Sequence, residues 1–299
     1  MAETSSQDAR YWKERFEAQQ QMLEITIANM QKATLQLSES KAALEKTNHQ
    51  LQGSISYATR LQQSILPAKT KLDQIFDDYF IFLKPKDQLS GDSYWVHKHN
   101  HLKYIAAIDC TGHGIPGAML TMLVSTALDQ LVTGKVITSP SEIIEALDQK
   151  IHYLLNNDEQ NELRGKNGLD ISLCILDEST NTLIFSGTHQ QILLLDGTHQ
   201  RAIKGARYYV GENSSRKTSL KDHQLQYSKG EKLYLFSDGF PDQFSVHGQK
   251  YTAKRLKRLI ATFWDIPLKG QKKALEMELS NFRGSSQQID DILVIGVQL

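Results

Sequence analysis

The sequence predicts an α+β protein: a long N-terminal helix, then a domain of short strands that pair mostly antiparallel. Three observations carry that reading. Residues 1–66 contain no proline and a single glycine, Gly53, and are rich in Gln, Glu, Lys and Ala, a helix-favouring composition. From Pro67 onward the chain alternates short β-type runs with turn residues and a few helical patterns. Several of the runs lie close enough for hairpins, which favours antiparallel pairing and an α+β class.

In the N-terminal segment Phe16, Leu23, Met30, Leu37, Leu44, Leu51, Ala58 and Ile65 recur every seven residues. A sustained seven-residue period predicts a seam that meets another helix in a left-handed supercoil. The second seam row is weaker: Ile27 and Ile55 are apolar, but Thr34, Lys41 and Asn48 intervene. Polar seam residues lower stability while fixing register and strand number. The segment 1–66 is therefore expected to be a coiled coil that dimerises, the alternative being a single solvated helix lying on the domain at 67–299.

Within that domain "DYFIFLKP", "SYWVHK", "LKYIAAI", "DISLCIL", "TLIFSG", "QILLLDG", "EKLYLFSDG" and "DILVIGVQL" read as strands. Helices are expected from Pro116 to Val132, from Pro140 to Leu155, and around 252–263 and 269–282. The second opens on a capping box, Ser139 with Glu142, and has Pro140 at its first position.

The composition excludes several function classes. With 34 basic against 34 acidic residues there is no electrostatic reason to expect nucleic acid or an anionic membrane as partner. Cys110 and Cys174, the two cysteines, lack CxxC spacing and suit a reducing compartment. The polar start "MAETSSQDARYWKERF" has no signal-peptide core, and "GAMLTMLVSTALDQLV" is broken by Thr121, Ser125 and Asp129. The expectation is a soluble cytoplasmic protein.

The chemistry concentrates in "AAIDCTGHGIPGAM", where an apolar strand stops at Asp109 and hands over to a glycine-rich turn. Upstream, "LSGDSYWVHKHNHLKYIAAID" reads as a hairpin turning at Asn100-His101, which puts Asp92 opposite Asp109. Like charges facing across a strand pair destabilise it unless compensated, and a hard divalent cation is the usual compensation. "KLYLFSDG" ends a strand at Asp238, and "QQIDDILVIGVQL" places Asp290 and Asp291 where the last strand begins. Asp-Gly is also a common turn dipeptide, so each acid alone is consistent with a turn or cap. Four at comparable strand ends favour a metal site. A phosphate cradle is disfavoured because the turn lacks GxxxxGK[ST] and presents an acid in place of a lysine.

The ordered set "SISYATRLQQSILP", "LSGDSYWV", "AAIDCTGHGIPGAM", "LYLFSDGFPDQF" and "IDDILVIGV" resembles the bacterial metal-dependent phosphatases of the protein phosphatase 2C type, SpoIIE-like branch, over roughly residues 55 to 299. The resemblance implies two packed antiparallel sheets flanked by helices, with two Mn²⁺ or Mg²⁺ ions at one edge. It implies hydrolysis of phosphoserine or phosphothreonine on a small regulatory partner, such as a STAS-domain anti-anti-sigma-like protein. By motif, Asp109 should bridge both ions, Asp238 and Asp290 should complete one site, and Asp92 with the Cys110 carbonyl should serve the other. Asp109 and Asp238 are thus the residues placed at the catalytic step, in which water ionised between the ions attacks phosphorus in line. The family motif GGDxxD is here Ser90-Gly91-Asp92 with Trp95 in place of the later acid, so no ligand is expected at Trp95. His113 is expected to shape the turn, Cys110 to be an inert buried thiol, and Asp170 to start a strand or support an additional metal. His97, His99 and His101 are expected to form a solvated hairpin tip. The competing reading is a catalytically inactive coiled-coil adaptor; retention of all four acids argues against it.

Overall fold

The structure is a computed structural model that describes residues 2–112, 114–155, 168–197, 199–211 and 219–299, with side chains from Tyr11 onward. The chain divides into two compact units, Met1–Ser54 and Ile55–Leu299.

Helix α1 (Ala2–Ile65) supplies the whole first unit, and it passes through Gly53 without a break. Its polar positions are satisfied locally. The hydroxyls of Thr26, Thr34 and Thr47 each donate to the carbonyl four residues earlier, and Lys13–Glu17 and Lys41–Glu45 pair along its surface. The apolar row, in contrast, is bare: Leu37 and Leu44 are 71% and 69% exposed.

The second unit contains α2 (Lys69–Ile75), β1 (Tyr79–Lys84), β2 (Asp92–His99), β3 (Leu102–Cys110), α3 (Ile115–Val132), α4 (Pro140–Leu155) and β4 (Leu169–Asp177). It continues with β5 (Thr182–Gly187), β6 (Gln191–Leu195), β7 (Gln200–Lys204), β8 (His223–Gln226) and β9 (Lys232–Phe236). The short α5 (Gly239–Asp242), then α6 (Ala253–Thr262), α7 (Leu268–Arg283) and β10 (Ile292–Gln298) complete it. One sheet has the order β1-β10-β9-β6-β7 and the other β2-β3-β4-β5-β8, and every ladder between strands is antiparallel.

Three apolar layers hold these elements. Between the sheets, Val96, Ile105, Cys174 and Phe185 meet Ile192, Leu235, Leu293 and Ile295. Outside the second sheet, Tyr104, Ile108, Ile171 and Leu173 pack on α3 and α4 through Val124, Leu128, Ile144 and Leu147. Outside the first, Phe80, Tyr234 and Phe236 pack with Leu256, Leu275 and Leu279 of α6 and α7. Each fully buried Leu or Ile contributes about 1.5–3 kcal/mol, so the two-faced strands read as near-continuous apolar runs. The fold is the predicted sandwich of two antiparallel sheets flanked by helices.

Helix α3 has 18 residues of mean hydropathy 1.4, long and apolar enough by composition to cross a membrane, yet half of it is buried in this packing. At α4 the expected cap is present: Glu142 N donates to Ser139 Oγ at 3.2 Å. The weakly apolar β7 and β8, at the sheet edges, and the short α2 and α5 were not anticipated. The hairpin tip also differs from expectation. His97 lies within β2, stacked on Trp95 (ring centroids 5.9 Å apart) and edge-on to Tyr104, and burial holds its pKa low. Of the three histidines, His101 alone is an exposed turn residue, because the strand pairing extends to His99 and Leu102.

Candidate metal centre

The β2–β3 hairpin turns at Asn100, whose φ of 53° an asparagine tolerates. The resulting register pairs His99 with Leu102 and carries Asp92 opposite Asp109, as the sequence predicted. Strand β4 then adds Asp170 opposite Asp109. Directly opposed residues share a face of the sheet, so the three carboxylates form one row. Two residues along, the same face carries Tyr94 and Ala107 of the inter-sheet core. The strand ends on an acid because the apolar filling between the sheets ends there.

The other sheet brings its acids to the same edge. Ser237 and Asp238 follow β9, and Asp290 and Asp291 precede β10, which pairs with β9. Ser237 Oγ donates to Asp92 Oδ2 at 2.6 Å and accepts from Leu293 N at 3.0 Å, joining the sheets at the row. Asp291 is buried; its two oxygens accept from Lys86 N and Gly91 N, both at 2.7 Å, and so fix the approach to Asp92. Asp290 is exposed, with Oδ1 accepting from Asp291 N at 2.8 Å. Asp238 is exposed in a cleft of about 460 Å³ whose walls include Asp109, Asp170, Gln190 and Lys250.

These positions strain the electrostatics. Burial first, then the charges of Asp291, Asp290 and Asp238, push the Asp92 carboxyl well above the usual range against the Ser237 hydrogen bond. Asp109 is raised by burial and then by Asp92, Asp238, Asp170 and Asp290. Asp238 is pushed up to about 6 by desolvation, with Asp242 and Asp290 adding to it. Asp170 is also raised by burial, but Thr188 Oγ1 (2.8 Å) and His189 Nδ1 (2.9 Å) hold its Oδ1.

The glycine turn after Asp109 takes Gly112 and Gly114 to φ of 85° and 70° before α3 begins. It also needs closeness. A Cβ on Gly91 would stand 2.5 Å from the Gly112 carbonyl oxygen and 3.0 Å from that of Cys110. The backbone carbonyls of the turn are thus gathered beside Asp92. Cys110 N donates to Gly91 O at 3.0 Å, while burial, then Asp109 and Asp92, raise its thiol well above the ordinary cysteine range. The thiol is thus buried and held in its neutral form, and the hydrogen bond to Gly91 is made by the main chain. Trp95 donates from Nε1 to Asp129 at 2.8 Å and packs beneath α3. His113 lies outside the described residues.

Among the described residues, no three His, Cys, Asp or Glu side chains stand together as a ready-made metal cage. The donor set nevertheless fits hard divalent ions. It offers carboxylate and carbonyl oxygens only, and the buried Asp92 and half-buried Asp109, which repel each other, gain from a cation held near both. Sequence reasoning missed Ser237 and the clamp made by Asp291. The signal for the second was present in the doubled acid "IDD", since neighbours entering a strand point to opposite faces.

The fold is that of protein phosphatase 2C-type domains. The SiaA-PP2C domain of Pseudomonas aeruginosa superposes with a TM-score of 0.77 at 27% identity, covering 85% of this chain and 98% of that one. The family profile SpoIIE, Stage II sporulation protein E, matches residues 102–299, and the chain belongs to this family. The phosphoserine phosphatase RsbU of Bacillus subtilis (strain 168) is 28% identical over 215 residues, 69% of this chain and 58% of its own length. The phosphoserine phosphatase RsbP of the same organism is 30% identical over 108 residues, 36% of this chain and 26% of its own. The chain therefore matches only part of either curated relative.

Proposed function

We propose that the chain is a metal-dependent protein serine/threonine phosphatase acting on a small phosphorylated regulatory protein in a partner-switching pathway. The observation that carries this reading is the row Asp92–Asp109–Asp170, faced by Asp238 and Asp290 from the first sheet. Asp92, Asp109, Asp238, Asp290 and the Cys110 carbonyl would hold two Mn²⁺ or Mg²⁺ ions. Bound there, such ions lower the pKa of a water and offset charge on phosphoryl oxygens. The protein's own groups do the rest. Ser237 orients Asp92, Asp291 fixes the Gly91 backbone, and Thr188 with His189 sets Asp170. The names of RsbU and RsbP, both phosphoserine phosphatases, support the reaction class.

The apolar row of α1 supports a parallel homodimer formed through the N-terminal helix, and two free buried cysteines suit a cytoplasmic location. The decisive experiment is hydrolysis of p-nitrophenyl phosphate with Mn²⁺ or Mg²⁺. Turnover should require the metal and fall more than about 100-fold in Asp109→Asn. Equal turnover in EDTA, or an unimpaired Asp109→Asn, would remove the metal-dependent site as drawn, and no turnover with either metal would leave the catalytically inactive adaptor.

A further inference from the structure

Gln190 does not fit ordinary hydrogen-bond accounting. It is only 9% exposed, and among the described residues neither Nε2 nor Oε1 of its carboxamide has a partner. Most buried side-chain polar atoms in folded proteins are satisfied, and an unmade bond there costs stability. Gln190 lines the cleft shared by Asp109, Asp170 and Asp238.

The backbone that presents this amide is constrained. His189 sits at φ 43°, and Gln190 N donates back across it to Thr188 O. His189 N donates to Ala206 O at 2.9 Å and Gly205 N to Gln190 O at 2.8 Å, so a neighbouring segment clamps the turn. Its side chains point the same way: Thr188 and His189 are the two groups bonded to Asp170, which lies opposite Asp109. A strained turn, tied to the carboxylate row, carries an unsatisfied amide. Strain and unmade bonds persist together where a ligand later repays them.

We infer that Gln190 is a subsite for the main chain of the substrate, pairing with the N–H and C=O of the phosphorylated residue. The inference rests on the phosphatase reading above. A carboxamide offers donors on nitrogen and an acceptor on oxygen. A phosphoryl group has acceptors only and leaves Oε1 unpaired. A cation takes Oε1 and leaves Nε2 unpaired. One residue of an extended peptide presents its N–H and C=O on the same side and satisfies both, once the side chain, whose two polar atoms are covered in the free protein, turns into the cleft that Gln190 lines. The site thereby selects a phosphorylated amino acid within a polypeptide over a simple phosphate ester.

Two substrates separate the cases: N-acetyl-phosphoserine methylamide, which has both main-chain groups, and p-nitrophenyl phosphate, which has neither. Wild type and Gln190→Met are compared on both with Mn²⁺, and their melting temperatures are measured in EDTA. The expected result is a kcat/KM loss on the blocked phosphoserine that exceeds the loss on p-nitrophenyl phosphate by about 10- to 100-fold, two hydrogen bonds' worth. The melting temperature should not fall, because an unpaired amide leaves no partner stranded when removed. Equal losses on both substrates, no loss on either, or a lowered melting temperature overturns the subsite. So does a wild type that hydrolyses p-nitrophenyl phosphate but not the blocked phosphoserine. A wild type inactive on both instead removes the phosphatase reading on which the subsite depends.

Discussion

Ser237 Oγ lies 2.6 Å from Asp92 Oδ2, a hydrogen bond that crosses from one sheet to the other. The same oxygen accepts from Leu293 N at 3.0 Å, so it is donor and acceptor at once and its orientation is fixed. A hydroxyl held this way selects which Asp92 oxygen is left for a cation. Ser237→Ala should weaken Mn²⁺ binding about 10- to 100-fold, as loss of an outer hydrogen bond to a metal ligand does. It should also cost about 1–3 kcal/mol in EDTA, because Leu293 N is buried and loses its acceptor. Isothermal titration and chemical denaturation measure the two effects, and unchanged metal affinity would show that Ser237 is only a sheet-to-sheet tie.

The metal-free site should be less stable at higher pH. Burial and neighbouring acids raise the carboxyls of Asp92, Asp109 and Asp238 above the unfolded value near 3.8, the last to about 6. A raised folded-state pKa contributes stability that is full below the unfolded value and is lost as pH rises through the folded one. In EDTA, the melting temperature of wild type minus that of Asp238→Asn should therefore fall between about pH 4 and pH 6. Because Asp238 is exposed, water screens the effect and the slope should be shallow. Mn²⁺ should reverse the trend, since it binds the ionised forms; its stabilisation should grow with pH toward about 2.7 kcal/mol at one hundred times Kd. A metal-induced shift independent of pH would contradict this account.

Much of the fold was legible because its information is local. The buried strands are apolar runs bounded by Gly, Asp and Pro, and the β2–β3 register follows from a two-residue loop, which by itself places Asp92 against Asp109. What escaped depends on partners distant in sequence. The edge strands β7 and β8 carry polar residues such as Gln200, Arg201, His223 and Gln224, so their pattern names no core. His97 reads as a solvated tip residue in the sequence because its edge-on contact with Tyr104 is a cross-strand property, and the stacking of Trp95, two residues away on the same face of β2, shows only once the strand is known to extend that far. The Ser237–Asp92 bond and the Asp291–Gly91 bond join positions 145 and 200 residues apart. The orphan amide of Gln190 is visible only as an absence, which a sequence cannot show.

Gln62, near the end of α1, belongs to the second unit and holds Ser90, two residues before Asp92 opens β2. Its Nε2 donates to Ser90 O at 2.6 Å and Thr121 Oγ1 at 3.0 Å, and its Oε1 accepts from Ser90 N at 3.1 Å. Ser90 in turn receives Asp92 N on its hydroxyl at 3.1 Å. Gln62→Ala should cost about 2–3 kcal/mol, because it strands both main-chain groups of the buried Ser90. It should also lower Mn²⁺ affinity, since the Ser90–Asp92 backbone loses its anchor. Denaturation and metal titration of the same variant check both, and a destabilised variant with normal metal affinity would separate Gln62 from the site.

The N-terminal helix poses a different energetic problem. Among its large side chains Leu23, Met30, Leu37, Leu44 and Leu51 all stand more than half exposed, and they fall on one seven-residue row. A contiguous apolar row on an isolated helix marks an interaction face, and the period specifies another helix as its partner. In a parallel pair the row of one copy meets the same row of the other, with Thr34, Lys41 and Asn48 marking the register at the second seam position. The row continues through Ala58 to Ile65, residues of the second unit, so pairing can bias how α1 enters that unit. Such coupling needs an element with two arrangements, and Gly53, which weakens a helix by about 1 kcal/mol, lies beside the division between the units. Replacing Leu37 and Leu44 together with Gln should convert a dimer to monomers at micromolar concentration, as judged by light scattering. The monomer should retain the metal-induced melting shift but show an altered kcat/KM on a phosphoprotein substrate. A wild type that is monomeric removes the dimer; a monomeric variant with wild-type kinetics keeps the dimer and removes the coupling.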